Sequence, residues 1–183
     1  MQNLRPVIAL FLIALACGFL LATVNSFTHP RILVQEEIML QNALNEILYP
    51  DLAVFEAIEP ADDTILSLFA AVTYGEVVAY IMHTATLGYS GNVNVLTGID
   101  VNGSVINVRI GAHAETPGLG SHIERPAFTK LFTGSRGPFR VVAHSPGAND
   151  IQAIASATIS TAAVTDGVNA ALLYFNNHLS GAN

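Results

Sequence analysis

The chain has almost no cysteine, no tryptophan and a single lysine, and each scarcity excludes something. With Cys17 alone, it cannot close a disulfide within itself, hold a Cys-ligated iron–sulfur cluster or build a four-cysteine zinc site. Any redox chemistry therefore needs an organic cofactor. Seven Lys and Arg stand against fourteen Asp and Glu, for a formal charge of −7, and Lys130 is the only lysine. That balance argues against nucleic acid and against a polybasic grip on anionic lipid. The six histidines show no HExxH or Cys/His spacing, and no Gly-x-Ser-x-Gly elbow surrounds Ser90, Ser145 or Ser156. Hydrolase and metalloenzyme readings lose their support, and each histidine is expected to serve the surface or the core.

Charge is also missing from one long run. Between Val7 and Val24, "VIALFLIALACGFLLATV" has nothing more polar than Thr23, and its length meets the roughly 17 to 25 residues that cross a bilayer as a helix. The competing reading is a cleaved signal peptide, with "ALAC" as the processing site. Cleavage there would leave Phe19, Leu20 and Leu21 in water, so an uncleaved anchor over residues 1–27 is expected, with Cys17 inside it. Arg5 and the free amino terminus are the positive groups before the anchor, which predicts a cytoplasmic N-terminus and an extracytoplasmic domain in a single-pass protein of the cytoplasmic membrane.

Residues 28–50 carry apolar side chains at helical spacing, including Ile38, Leu40, Leu44, Ile47 and Leu48, with Glu36, Glu37 and Glu46 on other faces. An amphipathic connecting helix ended by Pro50 is expected. From residue 51 to 183 the pattern is that of an α+β domain. Runs rich in Val, Ile, Phe and Tyr, broken by Gly, Asn and Asp, predict a mixed, largely antiparallel sheet. Asn102-Gly103 inside "DVNGSV" marks a hairpin from about Val93 to Gly111. A short amphipathic piece lies around Phe128 to Phe132. A terminal helix from about Ser160 to Asn177 is predicted from Ala163, Val164, Val168, Ala171, Leu172 and Phe175.

Two stretches carry candidate chemistry. In "ETPGLG", Glu115 to Gly120, two glycines and a proline fix an unusual backbone path that can bring bare N–H groups to a ligand, although an ordinary surface turn has the same composition. It is not a dinucleotide fingerprint, because Ile123 stands where a third glycine belongs. In "IQAIASATIST" a run of small residues ends in Ser156-Ala157-Thr158 where an apolar helical pattern begins. Ser and Thr there are either simple caps or the lip of a phosphate site at a helix N-terminus.

Taken in order, the anchor, the "LATVNSFTHPRI" exit, "GYSGNVNVLTGIDVNGSVINVRIGAHAETPGLGSHIE" and "SATIST" opening the last helix resemble the FMN-binding subunit of the Rnf and Na+-translocating NADH:quinone oxidoreductase complexes. The resemblance covers nearly the whole chain, and the short length is closer to that of the Rnf member of the pair, RnfG. It implies an FMN-binding-type domain, electron transfer within a membrane complex coupling ferredoxin and NAD redox to cation movement, and other membrane subunits as partners. It implies FMN joined through its phosphate to a Thr by a flavin transferase, within a Ser/Thr-Gly-Ala-Thr motif preceded by Asp. Carried over, the accepting Thr falls on Thr158 and the Ala on Ala157. Gly becomes Ser156, the Ser/Thr becomes Ala155 and the Asp becomes Gln152, with Asp150 two residues too early. If the motif glycine sits at positive φ, Ser156 is strained by about 1 kcal/mol or more. Glu115, Thr116, Gly118, Leu119 and Gly120 are expected to supply N–H groups, polar contacts and apolar cover for the flavin, so replacing Glu115 or Thr116 should act on the cofactor and spare the fold. The alternative implied by the departures is a structural subunit without covalent flavin.

Overall fold

The computed structural model describes residues 4–47, 54–144 and 146–181. The chain parts into two compact units, Met1–Met39 and Leu40–Asn183. One helix, α1 (Leu4–Ile47), contains both the apolar run and most of the expected connecting helix. Its segment Pro6–Ser26 has a mean hydropathy of 2.8 and none of it is buried, which is long and apolar enough to cross a bilayer. The Thr23 and Thr28 hydroxyls donate to the carbonyls of Phe19 and Val24, both at 2.8 Å, so neither polar group is left bare on the helix surface. Pro30 sits within α1 without ending it. Pro50, expected to end the helix, lies outside the described residues.

The second unit is built on a five-stranded antiparallel meander whose spatial order follows the chain: β1 (Val54–Ile58), β2 (Ser67–Thr73), β3 (Glu76–Leu87), β4 (Asn92–Asp100) and β5 (Val105–Ile110). Tyr74 and Gly75, at φ 51° and 86°, make the tight turn between β2 and β3, with the positive φ values that match the twist of a two-residue hairpin. The expected Asn-Gly hairpin joins β4 to β5. Asp100 Oδ1 accepts from the N–H groups of Asn102 and Ser104, each at 2.8 Å, and Gly103 takes φ 83°. The pairing skips Ile106 between Gly98 and Ile99, so β5 carries a bulge there.

A short helix α2 (Pro126–Thr129), flanked by 3₁₀ turns at Gly120–Glu124 and Lys130–Phe132, follows the meander. Phe128 of α2 begins a T-shaped aromatic chain, Phe128 to Phe132 at 5.6 Å and Phe132 to Phe139 at 5.0 Å between ring centroids. Then β6 (Arg140–Val142) and β7 (Asp150–Gln152) pair in parallel, and α3 (Thr158–Tyr174) closes the domain, continued by a π turn at Phe175–Leu179. The fold is α+β, with α3 against the central strands.

The core forms where the apolar stripe of α3, Ala163, Val164, Val168, Ala171 and Leu172, meets Met82, Val93, Val95, Val105 and Val108 of the sheet. Gly167 marks the closest approach: a Cβ there would stand 2.9 Å from Thr84 Oγ1 and 3.1 Å from Val95 Cγ2. Asn169 ties the helix to the chain before β6, accepting from the Phe139 N–H and donating to the Phe139 carbonyl, each at 2.8 Å. These contacts fix the axial position of α3, and with it the place of its first turn.

Candidate functional site

The terminal helix starts at Thr158, two residues earlier than its apolar stripe suggests. Its N-cap is Ala157, 5% exposed, which has no side chain with which to satisfy a first-turn N–H. The first backbone bond closes from Thr161 N–H to Ala157 carbonyl at 2.9 Å. The approach to the helix is a β-turn, Ile154 to Ala157, closed by the Ala157 N–H donating to the Ile154 carbonyl at 2.9 Å. Ser156 is its third residue, at φ 62°, the left-handed region in which glycine is the ordinary choice. Thr161 braces the turn, its hydroxyl donating to the Ala157 carbonyl and accepting from the Ile154 N–H. Ser156 and Thr158 are both exposed. An uncapped helix start with a free hydroxyl beside it can take a phosphate.

Gln152, at the motif's Asp position, is exposed at the end of β7. Asp150 is engaged elsewhere: it accepts from the Gly147 N–H at 3.0 Å and pairs with the Arg140 guanidinium at 3.0 Å. The Gly147 N–H first, then Arg140, hold its carboxyl below the ordinary value against the opposing effect of burial.

The glycine loop meets the same helix turn, through Glu115. This side chain is only 4% exposed, so it does not face outward as the sequence suggests. Its Oε1 accepts from the Ser90 N–H at 3.0 Å, and Oε2 accepts from the Ser160 hydroxyl. Gly88 and Gly120 flank the carboxylate. A Cβ at Gly88 would collide with Oε1, and one at Gly120 would come within 2.7 Å of Oε2 and 2.8 Å of Ser160 Oγ. Burial pushes the Glu115 carboxyl up, but the hydrogen bonds from Ser160 and from the Ser90 and Tyr89 backbones outweigh it and leave it below the ordinary range. Glu115 thus joins three segments: its own loop, the β3–β4 turn and the first turn of α3.

Residues 116–119 of the loop are exposed. Gly118 takes φ 75°, its N–H donates to Ser121 Oγ at 2.9 Å, and the Thr116 carbonyl accepts from the N–H groups of Leu119 and Ser121 at 3.1 and 3.2 Å. Thr116 and Leu119 lie at the surface, Leu119 at 45% exposure, and Gly120 is buried. On this loop's flank an open groove of about 420 Å³ is lined by Gly118, Ser121, His122, Glu124, Arg125 and Pro126, and Thr158 is not part of its lining. The structure therefore brings Glu115, Gly120 and Ser160 together two residues from Thr158. Ser160 carries no motif signal. Among the described residues, no group of three or more His, Cys, Asp or Glu side chains is placed to hold a metal ion.

A buried carboxylate clamp beneath an exposed, glycine-turned loop, next to an uncapped helix start, describes a domain that fits a phosphate-bearing cofactor, and residues 88–173 match the family model described as the FMN-binding domain. Residues 4–47 match the RnfG N-terminal region. The G component of the Na+-translocating ferredoxin:NAD+ oxidoreductase complex of Acetobacterium woodii is 34% identical, across 92% of this chain and 89% of that one. The corresponding G component of the ion-translocating oxidoreductase complex of Shewanella piezotolerans is 33% identical, across 96% and 90%. The chain belongs to this family of RnfG-like FMN-binding subunits. The crystal structure of the C component of the Na+-translocating NADH-quinone reductase of Parabacteroides distasonis shares the fold, with a TM-score of 0.54 at 24% identity over 64% of each chain.

Proposed function

We propose that this chain is the electron-transfer subunit of an Rnf-like, ion-translocating ferredoxin:NAD oxidoreductase, carrying FMN as a phosphoester on Thr158. Its RnfG relatives support the complex, and the FMN-binding domain match supports the cofactor. The finer reading rests on one observation: the exposed Thr158 hydroxyl opens a 17-residue helix capped by alanine, and Ser156 keeps a positive φ just before it. A strained residue persists where its surroundings over-determine the conformation. Here the turn keeps the shape a glycine motif would have, although the glycine is gone.

A phosphodiester at Thr158 would keep one negative charge beside the unsatisfied first-turn N–H groups of α3, an interaction worth roughly 0.3 to 2 kcal/mol. Ile159, next to Thr158 in the chain and 53% exposed, and Leu119, 45% exposed on the glycine loop, offer apolar surface to the flavin. When bound, the flavin supplies the electron-transfer chemistry, and the protein supplies attachment, orientation and electrostatics. Attachment requires a flavin transferase, and the other membrane subunits provide donor and acceptor. The apolar span Pro6–Ser26 supports a place in the cytoplasmic membrane, with Arg5 favouring an extracytoplasmic domain.

The deciding experiment is the intact mass of the full chain made beside an active flavin transferase, with in-gel flavin fluorescence after denaturation. A mass increase of one FMN is expected. Exposed Gln152 in place of Asp, and Ser156 in place of Gly, favour the rival reading of a structural subunit without covalent flavin. That reading wins if the wild type stays unloaded while Gln152→Asp with Ser156→Gly becomes loaded.

A further inference from the structure

The loop that runs from Glu115 to Glu124 has a second fastening, made by a histidine that no motif singles out. His113 has only 8% of its side chain exposed, and both ring nitrogens are engaged. Nδ1 accepts from the backbone N–H of Glu115 at 3.1 Å, so it carries no proton. The neutral ring then bears its proton on Nε2, which donates to Glu124 Oε1 at 2.8 Å. The two bonds seize opposite ends of one segment: the backbone that opens "ETPGLG" and the side chain that closes the following 3₁₀ turn.

We infer that His113 is a positioning residue for the flavin, a latch that closes the 115–124 loop on itself so that its exposed glycine turn keeps one shape above the Glu115–Ser160 contact with the first turn of α3. Glu115 cannot do this alone. Its carboxylate fixes the loop's first residue to the β3–β4 turn and α3, but nothing in that clamp reaches residues 121 to 124. Among the side chains, only one with an acceptor and a donor on opposite edges of a rigid ring makes both of the bonds seen here. An imidazole has them, whereas Asn reproduces only the near acceptor and Ala neither. This inference rests on the proposed attachment at Thr158, and its test separates the two.

Amide hydrogen exchange on the full chain reads the latch without any flavin. In His113→Ala the amides of Glu115, Leu119 and Ser121 should lose protection by about tenfold or more, while those of α3 and of β3 to β5 keep theirs. His113→Asn should restore the Glu115 amide and leave Leu119 and Ser121 fast, because it lacks the reach to Glu124. Unchanged protection, or a loss spread over the whole domain, would overturn the latch. With protein loaded by the transferase, His113→Ala should retain the FMN mass increase, yet its flavin should show greater iodide quenching and a shifted midpoint potential. Loaded flavin with wild-type quenching and potential overturns the positioning role even where loop exchange is fast. Absence of the mass increase from the wild type sinks the attachment, and the positioning role with it, while the exchange data still decide the latch.

Discussion

Glu115 and Ser160 stand 45 residues apart in the chain and share a hydrogen bond buried between two glycines. One side chain begins a loop, the other lies in the first turn of α3, and the contact makes the loop's position a property of the helix.

Removing that carboxylate should therefore damage the fold as well as the site. Glu115→Ala leaves the Ser90 N–H and the Ser160 hydroxyl without their acceptor in a buried place, which costs about 1 to 3 kcal/mol. Thermal melting or chemical denaturation of the full chain in detergent should show it. Thr116→Ala, at an exposed position, should lie within about 0.5 kcal/mol of wild type. Equal effects of the two substitutions would refute the clamp.

Acid should act at the same place. Because Glu115 has a folded-state value lowered from 4.5, its ionised form stabilises the fold fully above about pH 4.5 and that stability is lost as pH falls through the lowered value. In Glu115→Gln this part of the acid dependence should disappear. Denaturation midpoints followed from pH 6 downward test it, with a difference between wild type and variant that closes as the pH drops.

Thr158→Ala should abolish covalent FMN while leaving stability almost untouched. Ala157 occupies the N-cap position, so Thr158 is not the cap, and its exposed side chain holds no first-turn N–H. A cost within about 0.5 kcal/mol is expected. Intact mass and a melt on the same preparation check both halves. If the variant remains loaded, the tether lies on another hydroxyl, with Ser156 the nearest exposed one.

Ser156→Gly should relieve the left-handed strain and stabilise the domain by roughly 1 kcal/mol, less the entropy glycine adds to the unfolded chain. Combined with Gln152→Asp it should also raise the loaded fraction, measured as the ratio of the two masses. A destabilised Ser156→Gly would show that the serine side chain supports the turn.

Topology is checked on sealed, right-side-out spheroplasts. Added protease should degrade residues 54–181 if the domain is extracytoplasmic, and full protection would reverse the orientation drawn from Arg5.

Much of this architecture is legible in the sequence because it rests on local chemistry. Asn102-Gly103 declares its hairpin, and the stripe from Ala163 to Phe175 declares the buried face of α3. Continuity of α1 through Pro30 is not legible, since proline usually marks a break and here does not. β7 escapes notice because three residues, Asp150 to Gln152, are too few to show alternation, and their parallel pairing with β6 is set by distant packing. At the site, the positive φ at Ser156 follows from the motif position once the glycine is missed. The burial of Glu115 does not follow, because a carboxylate in a glycine loop reads as solvent-facing until the Ser160 hydroxyl is seen beneath it. The substitution that was expected to spare the fold is therefore one that should weaken it.

The two glycines around the Glu115 carboxylate also restrict how this region can change. Alanine at position 120 would press a methyl group against both Glu115 and Ser160, and alanine at 88 would strike the other oxygen. Shortening Glu115 clears only part of that space: Val93 Cγ2 would still stand 2.7 Å from a methyl group at 88, and Ser160 Oγ 2.8 Å from one at 120. Positions 88, 115 and 120 are thus interlocked with Val93 and Ser160, and neither glycine can grow through a change at Glu115 alone.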